Sequence, residues 1–245
     1  MEKTIFITGG TKGIGFSIAE TMAKSGYNLL LTYANDSHQA ADVQNRLTTQ
    51  FPKQNIKVLQ ADVTQSSSVD QINDYLSQQN ICLHAVVLNA GLTCRTPFEQ
   101  FTPQEWEEVF FANIHFPVFL LQKLINNKRI ENGGNVLFTG SLMGEYPHSV
   151  SLAYGVTKSA VHSLVKNLVK FLQPYGIRVN AVAPGFVDTE WQKTKPAEIR
   201  KNIESKIALG RFCTPNELSE VYKMIIENSY FNGEIVTLSG GYSFK

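Results

Sequence analysis

Short apolar runs and longer amphipathic stretches alternate along this chain. Lys3-Thr4-Ile5-Phe6-Ile7-Thr8 is apolar and of strand length. It leads into Ile14-Gly15-Phe16-Ser17-Ile18-Ala19-Glu20-Thr21-Met22-Ala23, where apolar residues recur at helical spacing. The same alternation predicts further strands near Leu30, Val58, Val86, Leu137, Val179 and Val236, with helices between them and the last two near Ile199 and Leu218. Asn135-Val136-Leu137-Phe138-Thr139-Gly140 is apolar almost throughout, as a strand buried on both faces must be. Strands and helices in turn predict a parallel sheet covered on both sides. No repeat, low-complexity tract or linker interrupts the pattern, so residues 1–245 are expected to form one α/β domain. The richest irregular segment runs from Phe186 to about Pro196.

Between the first strand and the first helix lies Thr8-Gly9-Gly10-Thr11-Lys12-Gly13-Ile14-Gly15. A glycine turn opening a helix is an anion site, because unpaired N–H groups and the helix dipole both face it. Glycines let the backbone approach a pyrophosphate with no Cβ in the way. The spacing Gly9, Gly13, Gly15 differs from the Gly-x-Gly-x-x-Gly of the standard dinucleotide fingerprint, and an ordinary strand-to-helix turn would look similar.

A second constellation lies further on. Tyr154 and Lys158 are four residues apart in a helical stretch running to about Leu172, so phenol and ammonium share a face. A free phenol has a pKa near ~10, and a nearby cation favours the phenolate. Such a pair also arises by chance; its place after Ser141 and after a glycine turn distinguishes it. Ser141 follows the strand 135–140, and a hydroxyl just beyond a strand's carboxyl end lies where open α/β sheets bind ligands. It could donate a hydrogen bond to a carbonyl oxygen or simply cap a turn.

Asn113 stands out through Pro117. A helical residue 117 would normally donate its N–H to the carbonyl of residue 113, and proline has no N–H. The freed carbonyl, in the apolar helix Glu105 to Asn126, must find another partner, and an ordered water is the usual one. The bland alternative is a proline kink in a packing helix.

Taken in order, these motifs resemble the short-chain dehydrogenase/reductase family over almost the whole chain. The resemblance implies a Rossmann-type, doubly wound, seven-stranded parallel sheet with helices on both faces. It implies Ser141, Tyr154, Lys158 and Asn113 as catalytic residues, with a water at Asn113 linking the lysine to solvent. Its glycine motif matches Thr8 to Gly15, with Gly9, Thr11, Lys12, Gly13, Ile14 and Gly15 as cofactor-binding residues, and its Asn-Ala-Gly falls on Asn89, Ala90 and Gly91. Asp62 and Val63 match its adenine contact, and Pro184, Gly185, Val187 and Thr189 its nicotinamide segment; Tyr154 and Lys158 also face the cofactor. Trp191 would be a candidate pocket residue in the segment after the Pro-Gly.

Cofactor choice rests on the tip of the second strand, Leu29 to Asp36. An acid there bonds the ribose 2′-OH and repels a 2′-phosphate. Tyr33 occupies that place, Lys12 can meet a phosphate, and Asn35 adds donors, which favours NADP(H) over NAD(H). Asp36 is the contrary residue, since a small shift would make it the NAD-type acid. The expected reaction is carbonyl reduction or its reverse, without metal. The spacer of three residues between Tyr154 and Lys158 sets the chain apart from the bacterial enoyl reductases of this superfamily. Its length and glycine spacing set it apart from the sugar-nucleotide epimerases.

The pattern is closest to the 3-oxoacyl-[acyl-carrier-protein] reductases of fatty acid biosynthesis, through Gly155 to Val179 and the terminal Ser239-Gly240-Gly241. Two places where carrier-protein enzymes tend to present basic residues hold Asn132 and Tyr175, though Lys128, Arg129 and Lys170 are close. A dehydrogenase of sugars, polyols or other small alcohols is the alternative, and a non-catalytic cofactor-binding regulator a third.

Composition narrows partners. A net charge of +1 supplies no field for nucleic acid or an anionic membrane. No unbroken apolar run reaches the ~18 residues of a membrane span, and no signal-peptide pattern opens the chain, so a cytoplasmic protein is expected. Cys82, Cys94 and Cys213 show no disulfide or zinc spacing. Apolar residues cover most of the circumference of the helices 105–126 and 154–172, which predicts an oligomer, expected as a homotetramer.

Overall fold

The computed structural model describes residues 3–147, 150–242 and 244; the side chain of Trp191 lies outside the described residues. In chain order, β1 (Thr4–Ile7), α1 (Gly13–Lys24), β2 (Asn28–Tyr33), α2 (Ser37–Gln50), β3 (Ile56–Gln60), α3 (Ser67–Gln78) and β4 (Leu83–Leu88) make the first half. The second half is α4 (Pro103–Phe110), α5 (Phe116–Asn126), β5 (Ile130–Thr139), α6 (Leu152–Leu172), β6 (Arg178–Pro184), α7 (Glu190–Lys193), α8 (Ala197–Ser205), α9 (Pro215–Glu227) and β7 (Ile235–Leu238). All seven predicted strands are present, paired in parallel in the order β3-β2-β1-β4-β5-β6-β7.

The sheet's two faces are built from alternate residues, as the two-residue period of a strand requires. Leu30, Phe6, Val86, Val136 and Val179 stand side by side in register, and all five point into one layer. There they meet Ile72 and Leu76 of α3, Phe116, Leu120 and Leu124 of α5, and Val161 and Val165 of α6. One residue along, Leu31, Ile7, Val87 and Leu137 face the other layer, packed by Ile18 and Met22 of α1, Leu47 of α2, and Leu218 and Tyr222 of α9. The strand order reverses between β1 and β4, and in such sheets the crevice at the carboxyl ends of the strands at that point takes the ligand.

Three local expectations are corrected. The helix expected from Glu105 begins at Pro103, because Thr102 caps it. The Thr102 hydroxyl accepts from the Glu105 N–H at 3.2 Å, and the Glu105 carboxylate accepts from the Thr102 N–H at 2.7 Å. That helix is also not continuous: a π-helical turn, Phe111–His115, separates α4 from α5. The segment Phe186 to Pro196 is not wholly irregular, since α7 lies within it.

The stretch Pro103–Asn126 is, on average, long and apolar enough to cross a membrane, although no single unbroken run is. Here Phe116, Leu120, Leu121 and Leu124 are buried against the sheet, as in the core helix of a globular domain.

Candidate active site

Every residue singled out for cofactor or catalysis lies at or just beyond the carboxyl end of a strand, or on a helix packed there. After β1, Gly9 and Gly13 have φ of +63° and +53°, a left-handed backbone that disfavours any Cβ. At Gly15 the constraint is space: a Cβ there would stand 2.2 Å from the Gly9 carbonyl oxygen and 2.7 Å from Asn89 Nδ2. Lys12 precedes α1 with no side-chain cap hydrogen bond, so the first-turn N–H groups remain open to an anion. A glycine turn whose first-turn donors carry no side-chain cap fits a dinucleotide pyrophosphate.

Neighbouring strands hold this turn in place. The Thr8 hydroxyl accepts from the N–H groups of Asn89 (2.9 Å) and Ala90 (3.0 Å), and Asn89 Nδ2 donates to the Thr8 carbonyl at 3.1 Å. On the other side, Thr32 accepts from the Gly9 N–H through its hydroxyl (3.2 Å) and from the Gly10 N–H through its carbonyl (3.0 Å). Thr11 is buried and Ile14 packs on the core. Thr189 closes from the β6 side, its methyl 3.6 Å from where a Gly13 Cβ would be.

The remaining cofactor candidates follow the same edge. Pro184 ends β6, Gly185 lies against Ser239, and Val187 bridges to Cys213. Asp62 and Val63 follow β3; Asp62 accepts from the Thr64 N–H and hydroxyl, both at 2.9 Å, and Val63 packs on the core. Tyr33 ends β2, and Asn35 is exposed beside it. Asp36 also caps α2, accepting from the Gln39 N–H at 3.0 Å. It forms an ion pair with Lys12 at 2.5 Å, and that pairing, chiefly, holds its carboxyl below the usual range.

Ser141, Tyr154, Lys158 and Asn113 converge at the ends of β4 and β5. Ser151 caps α6, accepting from the Tyr154 N–H at 3.4 Å, and so places Tyr154 in the first turn. The Tyr154 and Ser141 side chains are hydrogen-bonded. Lys158, one helical turn on, is buried, donates from Nζ to the Thr139 carbonyl at 2.7 Å and stands 5.4 Å from the centre of the Tyr154 ring. Gly91 lies between Asn113 and Lys158: a Cβ on it would be 2.9 Å from Asn113 Oδ1 and 3.6 Å from Lys158 Nζ. The Asn113 side chain is fully engaged. Its Oδ1 accepts from the Leu92 N–H (2.8 Å), and its Nδ2 donates to the Leu92 carbonyl (3.0 Å) and the Thr157 hydroxyl (2.9 Å). The π-turn ahead of Pro117 is how the helix accommodates the missing N–H without a sharp break.

Charge in this cluster differs from the sequence expectation. Lys158 was expected to pull the Tyr154 phenol down. Instead burial raises the phenol, and the Ser141 hydrogen bond is what opposes the rise. Nζ is directed at the Thr139 carbonyl and lies over the ring, and burial brings the ammonium itself down to about 8.

Several positioning roles escaped the sequence reading, although Thr8 itself was read as the start of the glycine motif. Thr8, Thr32 and Thr157 act through hydroxyls, and Thr139 through its carbonyl; its own hydroxyl bonds Tyr222 at 2.7 Å and donates to Asn89 Oδ1 at 3.3 Å. Polar residues inside apolar strands, Thr8 and Thr139 above all, were the available signal. A carbonyl partner leaves none.

Residues 3–200 match the family of short chain dehydrogenases, and the chain belongs to it; it is an NAD(P)-dependent oxidoreductase. Among its relatives, an uncharacterized oxidoreductase of Bacillus subtilis (strain 168), YmfI, is 36% identical over 248 residues, covering 99% of each chain. The 3-oxoacyl-[acyl-carrier-protein] reductase FabG of Aquifex aeolicus (strain VF5) is 27% identical over 98% of this chain and 96% of its own. Among solved structures, that of BdcA in complex with NADPH superposes with a TM-score of 0.85 at 26% identity, over 98% of this chain and 94% of that one.

Proposed function

We propose that this chain is an NADPH-dependent reductase that converts a ketone to a secondary alcohol, with 3-oxoacyl thioesters as its substrate class. The observation that carries the reading is the hydrogen-bonded pair of Ser141 and Tyr154 beyond the carboxyl end of β5, with buried Lys158 one helical turn behind. The cofactor would lie along Gly9 to Gly15, Tyr33, Asn35, Asp62, Val63, Asn89 to Gly91 and Pro184 to Thr189. When bound, it supplies a hydride to the substrate carbon.

The protein's own part is orientation and proton delivery. Ser141 donates to the carbonyl oxygen and fixes its direction. Tyr154 gives that oxygen its proton; a buried, protonated phenol is in the right state to do so. Lys158, held by the Thr139 carbonyl with its ammonium 5.4 Å from the centre of the Tyr154 ring, would bond the cofactor ribose. Asn113 fixes Leu92 and Thr157 and, through its carbonyl, holds the water that links Lys158 to solvent, the route by which the proton given up by Tyr154 is replaced. Lys12 supports the choice of NADPH, and so does the NADPH complex of BdcA. A regulator without turnover would have no use for four such residues together.

Asn132 and Tyr175 favour a second reading, in which the thioester is carried by coenzyme A or the ketone is a free small molecule. Both side chains are neutral where a carrier protein's acidic surface would want cations. We further propose that residues 1–245 act as one NAD(P)-binding domain in a cytoplasmic homotetramer. A panel of acyl-carrier-protein and coenzyme A 3-oxoacyl thioesters, sugars and small ketones, followed by NADPH absorbance, tests the assignment. Turnover of thioesters is the expected result, and turnover of sugars alone would overturn it.

A further inference from the structure

We infer that His162 is a positioning residue for Ser141, holding the serine loop through its backbone while the imidazole is neutral and releasing it on protonation. The inference rests on the reading of Ser141 as the group that orients the carbonyl.

His162 lies on α6, one turn beyond Lys158, and is 8% exposed. Its Nε2 accepts the backbone N–H of Ser141 at 3.4 Å. The loop is shaped around this ring. A Cβ on Gly140 would stand 2.5 Å from His162 Nε2, and one on Gly144 2.7 Å from His162 Cε1. Glycine on both sides of Ser141 is therefore what lets an imidazole reach the serine backbone. The same loop carries the Ser141 hydroxyl, which accepts from the Met143 N–H at 3.1 Å and bonds Tyr154.

Nε2 can accept only if the proton sits on Nδ1. In the imidazolium both nitrogens donate, so Nε2–H would oppose the Ser141 N–H and push the loop away. The proton has a route: a cleft of about 560 Å³ opens beside the ring, lined by Glu145, Ser159, His162, Lys166, Glu234 and Ile235. The charged groups around the imidazole are Glu145 from the serine loop, Lys158 and Lys166 from α6, and Glu234 from the segment before β7. Burial and the two lysines keep the ring neutral at physiological pH, and Glu145 works against them. Protonation therefore belongs to the acid side of the ordinary histidine range.

The test is nuclear magnetic resonance of the whole protein, labelled at histidine and serine, from about pH 8 to about pH 5. The Ser141 amide signal is expected to move with the same midpoint as the His162 ring, and Glu145→Gln should lower both midpoints together. A Ser141 amide that stays flat while His162 titrates overturns the inference, and so does a midpoint indifferent to Glu145. Neither measurement needs a His162 variant to fold. With NADPH and acetoacetyl-CoA as the assay pair, kcat should fall on the acid side with that midpoint. His162→Gln, which keeps an acceptor without a charge change, should remove the fall, and His162→Leu should lower kcat about tenfold at all pH. Ser141→Ala separates the two readings. If it abolishes turnover while His162→Gln keeps the acid limb, only the role of His162 fails. If it leaves turnover intact, the role of Ser141 fails as well.

Discussion

Asn113 and Thr157 are joined across two helices: Asn113 Nδ2 donates to the Thr157 hydroxyl at 2.9 Å, which in turn donates to the Tyr154 carbonyl at 2.9 Å. A side chain within the π-turn thus reaches the backbone of the tyrosine through one intervening hydroxyl. Thr157→Val preserves shape and removes that link, leaving a buried amide hydrogen unpaired. Unfolding free energy should fall by about 1–3 kcal/mol in urea titrations. An unchanged midpoint would show that the link contributes no stability of consequence.

Tyr154→Phe keeps the ring and deletes the hydroxyl. Turnover should vanish while NADPH affinity, read by fluorescence titration, stays within a few fold. Residual activity above about a hundredth of wild type would rule Tyr154 out as the proton donor.

The Lys12–Asp36 ion pair sets up a paired experiment on cofactor choice. Lys12→Glu places a like charge beside the 2′-phosphate and should weaken NADPH far more than NADH. Asp36→Asn removes the carboxylate that competes for Lys12 and should tighten NADPH several-fold, with little change for NADH. Calorimetry with both cofactors decides, and equal losses for both in Lys12→Glu would remove that lysine from phosphate recognition.

Burial holds Lys158 down to about 8, whereas the unfolded chain keeps this proton into the ordinary lysine range. Between these values the unfolded state binds more protons, so stability rises with pH. Folding therefore costs about 3 kcal/mol at this site below the folded-state value, and the cost is relieved as pH rises through it. Urea unfolding between about pH 7.5 and about pH 9.5 should show a rise in stability of about 2 kcal/mol that Lys158→Met abolishes. Parallel profiles for the two proteins would contradict it.

Phe119 of α5 and Phe171 of α6 are 52% and 71% exposed, while Val109 of α4, Leu120 of α5 and Val161 and Val165 of α6 are buried. These exposed rings are the groups that the proposed tetramer would cover. Sedimentation at micromolar concentration should give a species near four times 27.3 kDa, and Phe171→Glu should shift it toward smaller forms. A wild-type monomer would refute the tetramer.

The alternation of apolar runs placed all seven strands, because a sheet buried on both faces demands continuous apolar segments whatever surrounds it. The glycine turn was legible for a similar reason: no residue with a side chain fits where Gly15 meets Gly9. The order of Ser141, Tyr154 and Lys158 pointed to the site by resemblance, and their helical spacing put two of them on one face.

What the sequence could not supply were relations between groups distant along the chain. Lys158 meets a backbone carbonyl of β5, which has no residue signature, and burial, a property of the assembled layers, sets the direction of the Tyr154 and Lys158 shifts. Asp36 reads in the sequence as a possible 2′-OH acceptor, and its pairing with Lys12 appears only once the segments ahead of α1 and α2 are brought together. The π-turn is similar: Pro117 announces a missing N–H, but only packing of α4 and α5 decides between a kink and a widened turn. Local sequence determines which backbone conformations and faces are available; tertiary packing decides which polar groups then lie within hydrogen-bond reach and how much water each retains.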